Sequence, residues 1–441
     1  MREPVSSLPN ILYLHSHDTG RYVQPYGHAV PTPNLQRLAE EGVLFREAFC
    51  GGPTCSPSRA ALLTGQYPHS SGMLGLAHRG FRLNDFRRHM AHVLRSSGYQ
   101  SVLTGQQHEA AREEVDRLGY ERIVKLENGG DQAQVARAAA EFFRLRHDAP
   151  FFLSVGFEQT HRRYPEPGPA EDPRFCRPPA PIPDTPETRR DMAAFKASAR
   201  LLDEGMGGVL NALEETGLAG NTLVICTTDH GLAFPAMKCN LTDHGTGVML
   251  IMRGPGGFAG GKVCDAMVSQ VDIFPTVCDL LGIQPPPWLQ GTSFMPVIRG
   301  EAEEVREEVF AEVTYHAAYE PMRCVRTRRW KYIRRFDDRG RPVLPNCDDS
   351  PSKDVWLKSG WGTRALAKEE LYDLAFDPNE AHNLSSDPSV AAVLDEMRAR
   401  LERYMRSTDD PLLRGPVPAP SGARVNDPDG LSPREEPRIV T

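Results

Sequence analysis

The 441-residue chain has no apolar run long enough to cross a bilayer, and its opening "MREPVSSLPN" carries no hydrophobic signal core. The first absence argues against a membrane protein; the second makes a cytoplasmic location the default expectation. Positive charge is not in excess either: 51 Lys and Arg stand against 58 Asp and Glu, a net charge of −7. That balance argues against a nucleic-acid partner. The nine cysteines (Cys50, Cys55, Cys176, Cys226, Cys239, Cys264, Cys278, Cys324 and Cys347) are odd in number, scattered and never spaced C-x-x-C. This excludes a disulfide framework and a zinc ribbon. There is no internal repeat.

What is present looks globular, with 25% charged and 40% hydrophobic residues, in a chain long enough for one large domain and a satellite. "PNILYLHSHD" is a short apolar run of β-preference that turns polar near His15. "TPNLQRLAEEGVLF" has helical spacing and a stop at Gly42. The same alternation of helix and strand recurs in segments that end at His108, at His161 and at Asp229-His230. "GVMLIMRGPG" is a further strand and "VDIFPTVCDLLG" a helix. Strands alternating with helices predict an α/β fold, a large mixed and mainly parallel sheet flanked by helices. Ligands of such sheets bind beyond the carboxyl ends of the strands, where these His and Asp residues converge.

The pattern changes after about residue 305. "YEPMRCVRTRRWKYIRRFDD" reads as strands of a short antiparallel sheet, and "PSVAAVLDEMRARLERYM" as an amphipathic helix. The expected organisation is therefore a catalytic part over 1–305, a C-terminal subdomain over 306–410 and a Pro-rich tail over 411–441. That tail is either loose or laid as an arm over another surface, and it is a candidate for subunit contacts in a homo-oligomer.

The most specific stretch is "CSPSRAALLTGQYPHSSGM", starting at Cys55. By average composition, C-x-P-S-R arises by chance in on the order of one such chain in a thousand. It sits ahead of a helical run, which is expected to open at Pro57, a residue suited to the first helical position. The stretch resembles the signature of the sulfatase family of the alkaline phosphatase superfamily. "PNILYLHSHD", "TTDHGLAFPAMKCNL" and "ELYDLAFDPNEAHNL" are similar to its first metal segment, second metal segment and C-terminal motif. "GMLGLAHRGFRLNDF" looks most like the heparan N-sulfatase (sulfamidase) branch.

The resemblance implies that Cys55 is oxidised to formylglycine by a separate formylglycine-generating enzyme. The hydrated aldehyde then offers one hydroxyl to a metal and to attack on sulfur, and loss of the second hydroxyl's proton releases sulfate. It further implies that Arg59 steadies this group and that Asp18 and Asp229, with His230, hold one divalent metal. His17 is either a further ligand or a hydrogen-bonding neighbour. The family commonly has a second acidic residue at position 17 and an amide at 230. Calcium is its usual metal, whereas the imidazoles of His17 and His230 favour manganese or another transition metal. Lys238 matches the residue that contacts the transferred group, His108 a histidine beside the nucleophile, and His161 the one that protonates the leaving group. Gln106 stands where the family has a lysine. His69 and His78 are candidates for the substrate pocket; His15 and His244 have no assigned role. Loops at 78–90, 162–190 and 340–365 are expected to choose the leaving group.

The function implied is hydrolysis of a sulfate ester or sulfamate on a small molecule, such as an N-sulfoglucosamine-like, sugar or aryl sulfate. Two alternatives stay open. Phosphonate monoester and phosphodiester hydrolases of the superfamily use the same nucleophile and carry an Asp-His pair like Asp229-His230. A catalytically silent anion-binding homologue would be compatible with His17 and Gln106, though not with an intact Cys55/Arg59 motif.

Overall fold

Successive residues of the strand Asn10–Ser16 enter opposite apolar clusters, Ile11 and Tyr13 one, Leu12 and Leu14 the other. The strand is thus buried on both faces, which is why it reads as a continuous apolar run rather than an alternating one. It lies fourth in an eight-stranded sheet of the computed structural model, which describes residues 8–126 and 130–441. The spatial order is Arg122–Val124, Gln100–Gly105, Phe151–Gly156, Asn10–Ser16, Thr222–Thr228, Leu250–Arg253, Val43–Phe45 and Lys262–Cys264. Only Leu250–Arg253 runs antiparallel to its neighbours, so the sheet is mixed and mainly parallel as expected. The opening residues 1–7, on which the signal-core expectation rests, lie outside the described residues.

Helices Gln132–Phe143 and Pro186–Glu215 cover one face through Val135, Ala139, Phe142, Leu202, Met206, Val209 and Leu213. Asp131 and Thr185 cap them, each accepting from the backbone N–H three residues on. The other face packs against the helices Cys55–Thr64, Met90–Ser96 and Ile273–Leu281. The signature helix begins at Cys55 rather than at Pro57, which occupies its third position. Proline is tolerated there because N–H groups of the first turn have no intrahelical acceptor. All ten residues of this helix are buried, so it has no polar face to advertise it.

The strands Glu308–Tyr315, Tyr319–Thr327, Trp330–Arg335 and Glu369–Asp373 form an antiparallel sheet. The helix Ala391–Ser407 lies on it through Leu394, Met397, Leu401 and Tyr404, one apolar stripe at three- and four-residue spacing. The final segment is an arm on the chain's own surface. Ala423 and Val425 join the main core, and the Asn426 N–H donates to Ala317 O at 2.8 Å. Among the described residues no helix is long and apolar enough to cross a membrane.

Candidate active site

Four neighbouring parallel strands end at one edge, and the residues just past their ends build the site. The strands themselves stop at Ser16, Gly105, Gly156 and Thr228. His17-Asp18 and Asp229-His230 follow directly, whereas His108 and His161 stand three and five residues out in loops. Asp18 takes a left-handed backbone (φ 51°), an uncommon state for a residue other than glycine. Its N–H donates to Asp229 Oδ1 at 2.8 Å, and Thr19, Ser16 and Thr160 close a hydroxyl network behind it. The first turn past the strand is therefore locked to the second.

Asp229 Oδ1 also accepts from the His230 N–H at 2.9 Å, while Oδ2 lies 3.1 Å from Arg59 Nη2. Burial alone would raise this carboxyl; His230, Arg59 and His17 outweigh it and hold it well below the usual carboxylate range. Arg59 is fully buried, with Nη1 donating to His15 Nδ1 at 2.6 Å and Nη2 to Ser16 O at 2.8 Å. Arginine can only donate, so His15 is the Nε2–H tautomer and donates to Ser154 Oγ at 3.2 Å. His15 is thus an anchor for Arg59. Ser58 and Gln270 add a further clamp, since Gln270 Nε2 donates to Thr228 O at 2.6 Å and its Oε1 lies 2.9 Å from Ser58 Oγ.

Cys55 is the first residue of its helix and 2% exposed. Gly51 and Gly52 precede it, and a Cβ on Gly52 would stand 2.8 Å from Glu312 O, so glycine lets the C-terminal sheet press against this loop. Burial pushes the Cys55 thiol well above its ordinary range, against the opposing pull of Lys238. Its Sγ lies 3.4 Å from His230 Nε2, which in turn is 3.3 Å from Asp18 Oδ1. His230 Nδ1–H donates to Gly231 O at 3.0 Å, and this tautomer leaves the Nε2 lone pair aimed at Cys55 and Asp18.

One ligand atom each from His17, Asp18, Cys55 and Asp229 lie within 4.8 Å of one another. Asp18 Oδ1 has no hydrogen-bond partner, and His17 Nδ1 stands 3.0 Å from Asp229 Oδ2 without hydrogen-bond alignment. Burial and Arg59 push His17 down, which keeps its imidazole neutral. Two electron-rich atoms facing each other with no proton between them fit a shared cation. The residues therefore suit a divalent metal, and a donor set with imidazoles beside carboxylates suits manganese, iron or zinc better than calcium.

Lys238 is 3% exposed and bridges two carboxylates, Asp18 Oδ2 at 2.9 Å and Asp348 Oδ2 at 3.0 Å. Burial would lower its amine, but Asp18 and Asp348 outweigh it and raise it well above the ordinary value. Asp348 belongs to the 340–365 loop that was expected to choose the leaving group, but no motif picks it out individually. His316 is also new to the site: its Nδ1 is buried without a partner, and burial and Lys238 depress its basicity. It comes from the turn between the first two strands of the C-terminal sheet.

The remaining histidines divide. His161 is half-buried, donates Nδ1–H to Arg162 O at 2.5 Å and has its ring 5.5 Å from that of His17. His108 stacks on His78 with ring centres 4.9 Å apart and Nε2 2.7 Å from His78 Nδ1, at the mouth. Gln106 turns away to Glu158, to which its Nε2 donates. His69 is not a pocket residue. It is buried in a separate ionic cluster with Glu312, Arg323 and Asp410. His244 pairs with Tyr22 through Nδ1.

Comparison with known proteins bears on this constellation. The family model described as Sulfatase matches residues 9–283, and the one described as N-sulphoglucosamine sulphohydrolase, C-terminal, matches residues 238–353. The N-sulphoglucosamine sulphohydrolase of Homo sapiens is 31% identical over an alignment covering 92% of each chain. A solved complex with the substrate D-glucosamine-2-N,6-O-disulfate superposes with a TM-score of 0.73 at 18% identity, covering 93% of this chain and 99% of that one. The phosphonate monoester hydrolase of Agrobacterium radiobacter superposes with a TM-score of 0.68 at 22% identity, covering 91% and 96%. At these identities the two superpositions speak for the fold alone.

Proposed function

Because this chain belongs to the sulfatase family, we propose that it hydrolyses a sulfate ester or sulfamate of a sugar, using formylglycine made from Cys55 and one divalent metal. The observation that carries the reading is the place of Cys55, at the start of a buried helix and beside Asp18, Asp229, His17 and His230. As a thiol it is a poor nucleophile there, because its raised pKa keeps it protonated. The position makes sense for a precursor of an oxygen nucleophile.

Asp18, Asp229, His230 and His17 would hold the metal. Metal and formylglycine together would supply a hydroxyl of lowered pKa for attack on sulfur. The chain does the rest. The N-terminus of the helix Cys55–Thr64 presents its positive dipole end to the sulfuryl oxygens. Arg59 fixes the position of Asp229 from behind while adding positive potential. Lys238, held by Asp18 and Asp348, can donate to a sulfuryl oxygen or to the bridging atom as charge builds on it. His161 has a free Nε2 at the rim, placed to give a proton to the departing oxygen or nitrogen. Overall one water is consumed, the S–O or S–N bond is cleaved, and sulfate leaves with the alcohol or amine.

The match of residues 238–353 to the sulphoglucosamine C-terminal model, and the human relative, favour an N-sulfated or O-sulfated hexosamine over a phosphonate. The Asp229-His230 pair and the missing lysine at Gln106 favour the phosphonate or phosphodiester reading. The deciding experiment has two parts. The tryptic peptide Glu47–Arg59 from the native host is weighed, with Cys50 as an internal unconverted control. Turnover of an N-sulfated glucosamine, an aryl sulfate and an aryl phosphonate is then compared. Aldehyde at Cys55 with preferred release of sulfate is expected. A fully alkylatable Cys55 in a converting host overturns the nucleophile and leaves the anion-binding homologue; faster phosphonate turnover overturns the substrate.

A further inference from the structure

One buried side chain of the site is not used by the chemistry above. His316 is 7% exposed, and neither of its ring nitrogens has a hydrogen-bond partner among the described residues, Nδ1 being buried outright. Burial and Lys238 hold the ring neutral, so it carries one donor and one acceptor. Buried polar groups are nearly always satisfied, and an imidazole left with both nitrogens unmet points to a ligand.

The ring is held in place by its turn. The His316 N–H donates to Ala318 O at 3.2 Å, and Ala317 O accepts from the Asn426 N–H at 2.8 Å. Asn346 clasps the same turn, its Oδ1 accepting from the Ala318 N–H at 2.8 Å while its Nδ2 donates to Glu320 Oε2 at 2.9 Å. Asn346 stands two residues before Asp348, so one amide ties the His316 turn to the segment that carries Asp348.

The surroundings place this ring on the side of the departing group. Lys238, Asp348, His230 and Arg79 act on His316 electrostatically, and Lys238, His161 and His316 act on Asp348. The Asp348 carboxylate thus lies among Lys238, His161 and the unpartnered imidazole. Its Oδ2 faces Lys238 at 3.0 Å; its Oδ1 has no partner among the described residues, and the side chain is 19% exposed. Burial would raise this carboxyl, but Lys238 outweighs it and keeps it ionised. A carboxylate oxygen only accepts, whereas a neutral imidazole does both. A hydroxyl group meets the two together, donating to Asp348 and accepting from His316. A second anion would meet the charge of Asp348, and an ammonium would meet those of Lys238 and Arg79.

We propose that His316 and Asp348 recognise a hydroxyl of the leaving group, beside the atom that carries the sulfuryl group, and so select sugar or polyol substrates over alkyl and aryl ones. The half of the substrate they meet rests on the sulfatase reading above, and the test lets the two fail separately. Sulfate release from glucosamine N-sulfate and from cyclohexyl sulfamate is compared with the converted, metal-loaded enzyme. Both have an S–N bond on a six-membered ring, and only the first has hydroxyls. The wild type should favour the sugar in kcat/KM, and His316→Phe, which has neither donor nor acceptor, should shrink that preference about 10–100-fold. His316→Gln keeps a donor and an acceptor and should lose less. A wild type with no preference overturns the proposal without any variant. So does a preference that His316→Phe leaves intact while slowing both substrates alike. Saturation-transfer NMR with glucosamine and cyclohexylamine, on the wild type and both variants, reads the same recognition without turnover. Absence of sulfate release from both sulfamates and from 4-nitrophenyl sulfate sinks the sulfatase reading, and the NMR comparison then decides alone. A preference for glucosamine that His316→Phe abolishes keeps the hydroxyl subsite; equal binding of the two amines removes it.

Discussion

The buried cluster around Glu312 gives a stability change that can be worked from the structure. Glu312 accepts from the His69 N–H and from His69 Nδ1, both at 2.6 Å, and lies 3.5 Å from Arg323 Nε. Asp410 accepts from the same guanidinium, from Nε at 2.6 Å and from Nη2 at 3.1 Å. These contacts tie the turn after the signature helix to the C-terminal sheet and to the segment just past the helix Ala391–Ser407. Burial would raise the Glu312 carboxyl, but Arg323 and His69 outweigh it and bring it from 4.5 to about 2. At about 1.4 kcal/mol per pKa unit, the depression is worth at most about 3.5 kcal/mol.

The sign follows from the direction. A depressed carboxyl stabilises the fold above its unfolded pKa and loses that contribution as pH falls, so roughly 1.4 kcal/mol remains at pH 3. His69 moves the other way: burial lowers it, Glu312 overrides that, and the imidazole is raised. Its share is complete below about 6.5 and fades as pH rises through the folded value. Glu312→Gln should therefore cost about 2–3 kcal/mol near pH 6 and less at pH 3 or pH 8. Urea unfolding of both proteins by tryptophan fluorescence at the three pH values measures this. A gap that is flat with pH, or below about 1 kcal/mol at pH 6, would refute the assignment of an ionised, paired Glu312.

Three further outcomes concern the site. Asp348→Asn removes one of the two carboxylates ion-paired with the buried Lys238, and the loss of that pair predicts a roughly 10–100-fold fall in kcat/KM for 4-nitrophenyl sulfate. An unchanged value would show that Asp18 positions Lys238 alone. His161→Asn should slow a sulfamate or alkyl sulfate by about 100–1,000-fold and 4-nitrophenyl sulfate by less than about tenfold, because nitrophenolate leaves without a proton. Equal losses would remove leaving-group protonation from His161. His17→Asp should shift the metal preference of the stripped protein toward calcium over manganese in competitive calorimetry, and an unaltered ratio would exclude His17 as a ligand.

The parallel sheet was legible because its central strands are apolar on both faces and end in residues that have no business in a core. Asp18, Asp229 and Cys55 could be found for the same reason: chemistry-bearing side chains stand where a periodic pattern stops. The signature helix starts two residues before Pro57 because proline suits any position of the first turn, so its presence does not fix the start. Asp348, His316 and the partners of His69 were not legible individually. They reach their places through the packing of the C-terminal sheet against the signature loop, some 250 residues away in sequence, and no local pattern records that contact.

The two departures from the family pattern, His17 for an acidic residue and Gln106 for a lysine, are better understood together than apart. An aspartate at 17 would add a negative charge beside Asp18 and Asp229, and a lysine at 106 would add a positive one at the same sheet edge, two strands away. This chain has neither, so the net charge of the edge is the same as with both. What changes is its distribution: the imidazole of His17 is kept neutral by burial and Arg59, and Gln106 spends its amide on Glu158. On the proposed reading, positive potential for the anion then comes from Lys238, Arg59 and the helix end. That places unusual weight on Lys238, which is held in part by Asp348 from the 340–365 loop. On the proposed reading, the placing of Lys238 therefore depends on the segment that carries Asp348.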